Sequence, residues 1–151
     1  MIEKAGKKDA EEINKIISKE FSYKNFTPQT LHQRLEMPGV IILKKMFRKK
    51  IAGFIDFEVK ENTGFINAVS VKTVFRKKGF GKELITFALD VLKQNNVMQA
   101  KLLVKQDNNA AKKLYNSAGF LFQKYHEKKI DNSLVEVWEK NLFEDEMEYL
   151  N

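Results

Sequence analysis

The sequence predicts one α/β domain: a mixed, mostly antiparallel sheet of about seven strands with about four helices spread over both faces. Three observations carry this. Hydrophobic periodicity changes along the chain in the order β-α-α-β-β-β-α-β-α-β-β. The early strands follow one another closely, as hairpins do, whereas the later ones alternate with helices, as parallel crossovers require. The 151 residues, 43% apolar and 31% charged, suit one ordinary core that buries roughly 70% of the unfolded chain's surface. No repeat and no Pro/Gly/Ser-rich linker marks a second domain, so we assign residues 1–141 to the domain and 142–151 to an acidic tail.

Ile2 to Ala5 reads as a short first strand. Asp9 followed by Glu12 resembles a capping box, and Ala10, Ile13, Ile16 and Ile17 then recur at helical spacing. Thr27-Pro28 starts a second helix, with proline at the first helical position, and Pro38-Gly39 ends it. Val40 to Phe47 is an apolar strand. Arg48-Lys49-Lys50 turns the chain into Ile51 to Val59, which alternates with Ile51, Gly53, Ile55, Phe57 and Val59 on one face and Asp56 and Glu58 on the other. Phe65 to Val71 follows through Asn62-Thr63-Gly64. The helix after Gly79 has Phe80, Leu84, Phe87, Ala88, Val91 and Leu92 as its buried stripe. Ala100 to Val104 is a short apolar strand. The next helix starts near Asp107-Asn108, carries Ala111, Leu114, Tyr115 and Ala118, and stops at Gly119. Phe120 to Glu127 and Leu134 to Asn141 complete the sheet.

The absence of cysteine excludes disulfides, thiolate metal sites and a cysteine nucleophile. His32 and His126, the two histidines, lie far apart in sequence with no third ligand at metal spacing, so no metal is expected. No apolar run reaches the length of a membrane span, and we expect a cytoplasmic protein. The net charge is +7, but the acidic tail hides part of it: residues 1–141 alone carry +11. Such a surface favours an anionic partner. A lysine-rich solvated exterior is the plainer explanation.

One segment concentrates that charge. Val71-Lys72-Thr73-Val74-Phe75-Arg76-Lys77-Lys78-Gly79-Phe80-Gly81-Lys82 joins a strand to a helix, with five bases and no acid before Glu83. The first turn of a helix leaves about four N–H groups without intrahelical acceptors, and its dipole adds positive charge there. Glycines let a ligand approach the main chain. A pyrophosphate suits such a place. The segment is neither a dinucleotide fingerprint, since Leu84 stands where the third glycine belongs, nor a P-loop, since Glu83 follows Gly81-Lys82.

The pattern Val-x4-Arg-x-x-Gly-x-Gly resembles motif A of the GNAT acetyltransferase superfamily. Further on, Asn108-Asn109-Ala110-Ala111-Lys112-Lys113-Leu114-Tyr115-Asn116-Ser117-Ala118-Gly119-Phe120 resembles its motif B, Asn-x-x-Ala-x-x-x-Tyr-x-x-x-Gly-Phe, in the right order and at a spacing that admits one helix and one strand. The resemblance implies the GNAT acyl-CoA N-acyltransferase fold and transfer of the acetyl group of acetyl-CoA to a primary amine in a ternary complex. It implies that Val69, Ser70 and Val71 line the pantetheine arm, and that Arg76, Lys77, Lys78, Gly79, Phe80, Gly81 and Lys82 cradle the phosphates. It makes Asn108 a cofactor contact and Tyr115 the acid that protonates the leaving thiolate. A phenol, titrating ordinarily near 10, suits that work, and such help is worth roughly 10²–10⁴ in rate. Without the family, Tyr115 reads as an amphipathic core residue and Asn108 as a helix cap.

The sequence departs from the family at the general base. Where ribosomal-protein N-terminal acetyltransferases place a glutamate, this chain has Leu103, and where histone-type members place one, it has Phe65. Asp56 and Glu58 lie on the neighbouring strand, and Asn67 could order a water. The partners expected are acetyl-CoA and an amine acceptor, small molecule or protein, without metal, membrane or nucleic acid. Two other functions stand beside this one: a non-catalytic acyl-CoA sensor, for which the missing base speaks, and a nucleic-acid binder using the basic surface, for which steep salt dependence would speak.

Overall fold

A computed structural model describes residues 1–20 and 27–143. In chain order its elements are β1 (Ile2–Lys4), a 3-10 turn (Lys7–Asp9), α1 (Ala10–Glu20), α2 (Pro28–Glu36), β2 (Val40–Phe47), β3 (Lys50–Lys60), β4 (Thr63–Val71), a second 3-10 turn (Thr73–Phe75), α3 (Phe80–Gln94), β5 (Gln99–Lys105), α4 (Asn109–Ser117), β6 (Leu121–Tyr125) and β7 (Val135–Asn141). The strands form one sheet in the order β1-β2-β3-β4-β5-β7-β6, parallel only between β4 and β5. The acidic residues of the tail, Glu144, Asp145, Glu146 and Glu148, lie outside the described residues. Leu142 is buried in the core and Phe143 packs against it.

Two apolar layers sandwich the sheet. On one face α3 and α4 press Leu84, Ile85, Ala88, Leu92 and Tyr115 against Ile55, Phe57, Ile66, Leu102 and Trp138. On the other, α1 and α2 bring Ile13, Ile16, Ile17 and Leu31 onto Ile42, Phe54 and Ala68. Because both faces are covered, β3 is buried almost throughout, and its alternation separates two cores rather than core from solvent.

Several local expectations change. Ile51 belongs with Phe54 on the α1/α2 face, not with Ile55. A bulge between Lys45 and Met46 leaves Ala52 without a partner, and one extra residue sends everything before it to the opposite face. On α3, Phe87 is exposed and Val91 only half-buried, while Ile85 and Leu89 are buried; the stripe is rotated because α3 packs on β2, β3 and β4. Asp9 does not cap α1 with Glu12. Its carboxylate accepts from the Gly6 N–H at 2.8 Å and from Lys44 Nζ at 2.9 Å, and Glu12 faces Lys15 and Lys72. The turn at Arg48-Lys49 forms without glycine, both residues taking positive φ in the manner of a two-residue hairpin.

The Asp9–Lys44 pair is buried and gives a pH signature. Burial alone pushes the Asp9 carboxyl up, but the Gly6 N–H and the Lys44 ammonium outweigh it and hold the carboxyl below its ordinary value. A depressed carboxyl contributes stability that is present above the unfolded-state value, about 3.9, and is lost as pH falls through the native one. Asp9→Asn is therefore expected to cost roughly 1–3 kcal/mol at pH 7 and much less at pH 3. Urea unfolding at the two pH values measures this.

Candidate functional site

The site begins where the sheet opens. β4 and β5 pair from Thr63↔Gln99 only as far as Ile66↔Leu102, although both strands continue. Next in β4 comes Asn67, which the β3–β4 register skips as it shifts between Asp56 and Phe57. That bulge re-aims the strand and takes it away from β5. Beyond it, Lys72 N–H bonds to Ala52 on β3 at 2.8 Å. By strand alternation the main-chain groups of Ser70 also face β3, and those of Val69 and Val71 face the gap. Arg76 Nε donates to the Val71 carbonyl at 3.0 Å, tying the following loop to this end of the strand.

That loop forms a hollow over the start of α3. Lys77 has φ +64° and Gly79 φ +80°, so the chain doubles back twice before the helix. The first bond closing α3 runs from Glu83 N–H to Gly79 O at 3.0 Å, which leaves the N–H groups of Phe80, Gly81 and Lys82 without intrahelical acceptors. Aromatic packing holds the turn from beneath: Phe80 lies 5.2 Å and Phe75 5.6 Å from Phe47. Lys45 Nζ sits 4.8 Å from the Phe80 ring and 2.8 Å from Glu83. Lys45, Phe47 and Phe75 are thus supports that the motif reading did not single out; Phe75 and Phe80 flank the glycine turn in sequence, but Lys45 and Phe47 come from β2 and left no local signal.

A cavity of about 440 Å³ collects these groups. Val69, Ser70, Val71, Arg76, Lys77, Gly79, Phe80, Gly81, Lys82, Asn108 and Tyr115 all line it, residues drawn from β4, the loop, α3 and α4. Two of the five bases in the segment lie elsewhere. Lys78 Nζ stands 5.5 Å over the Phe47 ring, and Lys72 reaches Glu12 on α1 at 3.4 Å. The strongly curved loop directs successive side chains to different sides, which spacing alone does not reveal.

On α4, Asn108 is the N-cap: its Oδ1 accepts from Ala111 N–H at 3.1 Å, so the side-chain nitrogen is the part left to address a ligand. Tyr115 is buried with its ring 6.1 Å from Phe120. Asn108, Ala111 and Tyr115 also line a second cavity, of about 470 Å³, formed by the diverging strands and carrying Phe65, Asn67, Leu103 and His126. Tyr115 stands where the two cavities meet. His126 is partly buried, and its Nδ1 accepts from the Lys128 N–H at 3.1 Å; His32, also partly buried, lies on α2, away from both. Asp56 and Glu58 are hydrogen-bonded sheet residues. Asp56 receives both arms of Arg34 at 2.7 Å, and Asn67 Nδ2 reaches Glu58 at 3.1 Å and Asp56 at 3.4 Å. Among the described residues no group of three His, Asp or Glu side chains is arranged to hold a metal, and no helix is long and apolar enough to cross a membrane.

The sheet is thus split between its two parallel strands, and the basic start of α3 and Tyr115 both line the cavity beside the split. Residues 10–120 match the acetyltransferase (GNAT) family, and the chain belongs to it. Solved structures agree on the fold. The ribosomal-protein-S18-alanine N-acetyltransferase of Escherichia coli superposes with a TM-score of 0.83 at 17% identity, covering 94% of this chain and 93% of that one. The PaiA N-acetyltransferase of Thermoplasma acidophilum, solved with coenzyme A, gives 0.78 at 16% identity over 93% and 98%. A Bacillus subtilis acetyltransferase in complex with CoA gives 0.75 at 18% over 93% and 97%. No curated protein sequence matches the chain.

Proposed function

We propose that this protein transfers the acetyl group of acetyl-CoA to a primary amine, with Tyr115 as the acid. The observation that carries this reading is the convergence on one groove of unpaired helix-start N–H groups, a bare strand edge and a tyrosine. The residues fit the cofactor. The N–H groups of Phe80, Gly81 and Lys82, with the Lys77 and Lys82 ammonium groups in the same wall, suit a diphosphate. The outward main-chain groups of Val69 and Val71 suit the amides of the pantetheine arm, and the Asn108 side-chain nitrogen suits one of its carbonyls. Bound there, acetyl-CoA supplies a thioester whose carbonyl carbon takes the amine nitrogen and whose sulfur leaves as thiolate. Tyr115, which lines both cavities, is proposed to supply that sulfur with a proton. The proton lost by the amine nitrogen as the amide forms passes to water, from which the phenolate regains its own. The amine is proposed to reach the same point through the second cavity, so that both substrates are held at once and nucleophile and electrophile are pre-oriented.

A second reading is supported by one observation. Phe65 and Leu103, both in the wall of the second cavity, are unable to take a proton, and a chain that binds acyl-CoA without turning it over would look the same there. Thiol release separates the two. Enzyme with acetyl-CoA and a panel of α-amino peptides, lysine peptides, polyamines and aminoglycosides is expected to liberate CoA with at least one amine. Tight acetyl-CoA binding with no release from any of them would leave the sensor.

A further inference from the structure

Resting on the work proposed above for Asn108 and Tyr115, we propose that Lys112 and Glu136 are a positioning pair. Bonded to each other between α4 and β7, they fix the rotation of α4 and so aim both of those side chains into the cofactor groove.

Glu136 is 5% exposed although it carries a charge. It lies in β7 two residues from Trp138, whose ring belongs to the core that α4 covers. Both of its carboxylate oxygens are engaged. Oε1 accepts from Trp138 Nε1 at 2.9 Å and Oε2 accepts from Lys112 Nζ at 3.0 Å. Lys112 Nζ also donates to the Gln106 carbonyl at 2.8 Å, in the loop that leads from β5 to the N-cap Asn108. The Gln106 N–H bonds in turn to the Leu134 carbonyl, just ahead of β7, at 2.8 Å. One ammonium therefore joins the first turn of α4 to β7 and to the end of β5.

Such a pair adds little to stability, since apolar side chains of similar volume usually hold a structure as well or better. What it supplies is direction. Ala111, Leu114, Tyr115 and Ala118 pack α4 onto the core. Apolar contact of that kind is non-directional, and it seats the helix without fixing how it is turned about its axis. Hydrogen bonds, which need a set length and angle, fix it. Asn108 lies four residues before Lys112 and Tyr115 three after, about one helical turn either way, so both move when Lys112 moves. Lys112 and Glu136 line neither of the two cavities. They act through α4 and not on substrate.

The test uses the full chain with CoA as the probe, so it needs no acceptor. In Lys112→Met/Glu136→Gln neither partner is charged, and the new amide oxygen still accepts from Trp138. Urea unfolding is expected to keep its wild-type midpoint, while calorimetry gives a CoA Kd about 5-fold higher, the worth of one hydrogen bond. Asn108→Ser keeps a capping hydroxyl and removes the side-chain nitrogen. In the wild-type background it is also expected to raise Kd about 5-fold. Added to the double substitution it should cost less than about 2-fold, because a helix already turned away has no such contact to lose. Trp138 is the single tryptophan and lines neither cavity, so its indole N–H resonance reports on the pair. Saturating CoA should shift it in the wild type and leave it in place in the double variant. Glu136→Gln alone is the second variant if the double one does not fold, and the same readings are expected of it. Wild-type CoA affinity in a folded pair variant, losses that multiply in the triple substitution, or a wild-type indole resonance indifferent to CoA overturns this proposal alone. CoA binding indifferent to Asn108→Ser overturns the Asn108 contact and this proposal with it. Failure of the wild-type chain to bind CoA overturns the acetyltransferase reading beneath both.

Discussion

Tyr115→Phe is expected to lower kcat by roughly 10²–10⁴, the range of general-acid help, while acetyl-CoA affinity stays within a few-fold. The split between the two readouts follows from where Tyr115 sits. It lines both cavities, and in the proposed mechanism its hydroxyl meets the reacting end of the cofactor and not the diphosphate. Phenylalanine keeps the ring and its packing 6.1 Å from Phe120. Steady-state kinetics and calorimetry on the same preparation check this. Unaltered turnover would remove the acid role from Tyr115, and an equal loss in kcat and affinity would make it a binding residue.

Gly79→Val should act at the opposite end, weakening acetyl-CoA binding about 100-fold or more. The reason is conformational and not steric. A Cβ built at Gly79 meets nothing within 4 Å, but φ is +80°, a region where a β-branched residue is a genuine outlier. Holding valine there costs about 1–3 kcal/mol. The chain relieves that strain by rotating out of the left-handed region, which swings the N–H groups of Phe80, Gly81 and Lys82 out of line. Gly79→Asn is the control, since asparagine tolerates this conformation far better, and it should bind acetyl-CoA nearly as wild type does. Equal losses in both variants, or in neither, would contradict the geometry.

The sheet and helices were legible in the sequence because each is written in local periodicity and in turn chemistry at its ends. Thr27-Pro28, Asn108 and Gly119 mark helix boundaries that the structure keeps. The two motifs located the groove because both depend on main-chain geometry, which glycines and a capping asparagine disclose. What spacing could not supply was set by tertiary packing. The bulge that turns Ile51 to the other core, the rotation of α3 that exposes Phe87, and the path that sends Lys72 to Glu12 all depend on neighbours distant in sequence. The second bulge, at Asn67, is of the same kind: β4 reads as an ordinary alternating strand, and only its pairing with β3 shows where it leaves β5. Asp56 is a hydrogen-bonded sheet residue, but its partner Arg34, on α2, is set by tertiary packing and is not visible in the sequence.

The central claim is that the main-chain amides entering α3 grip the diphosphate of the cofactor. Backbone amide resonances followed by NMR during titration with CoA test it most directly. Saturable shifts concentrated at Gly79, Phe80, Gly81 and Lys82, with smaller ones along Val69 to Val71, are the result expected. CoA binding that leaves those four resonances in place, or no binding at all, would contradict it.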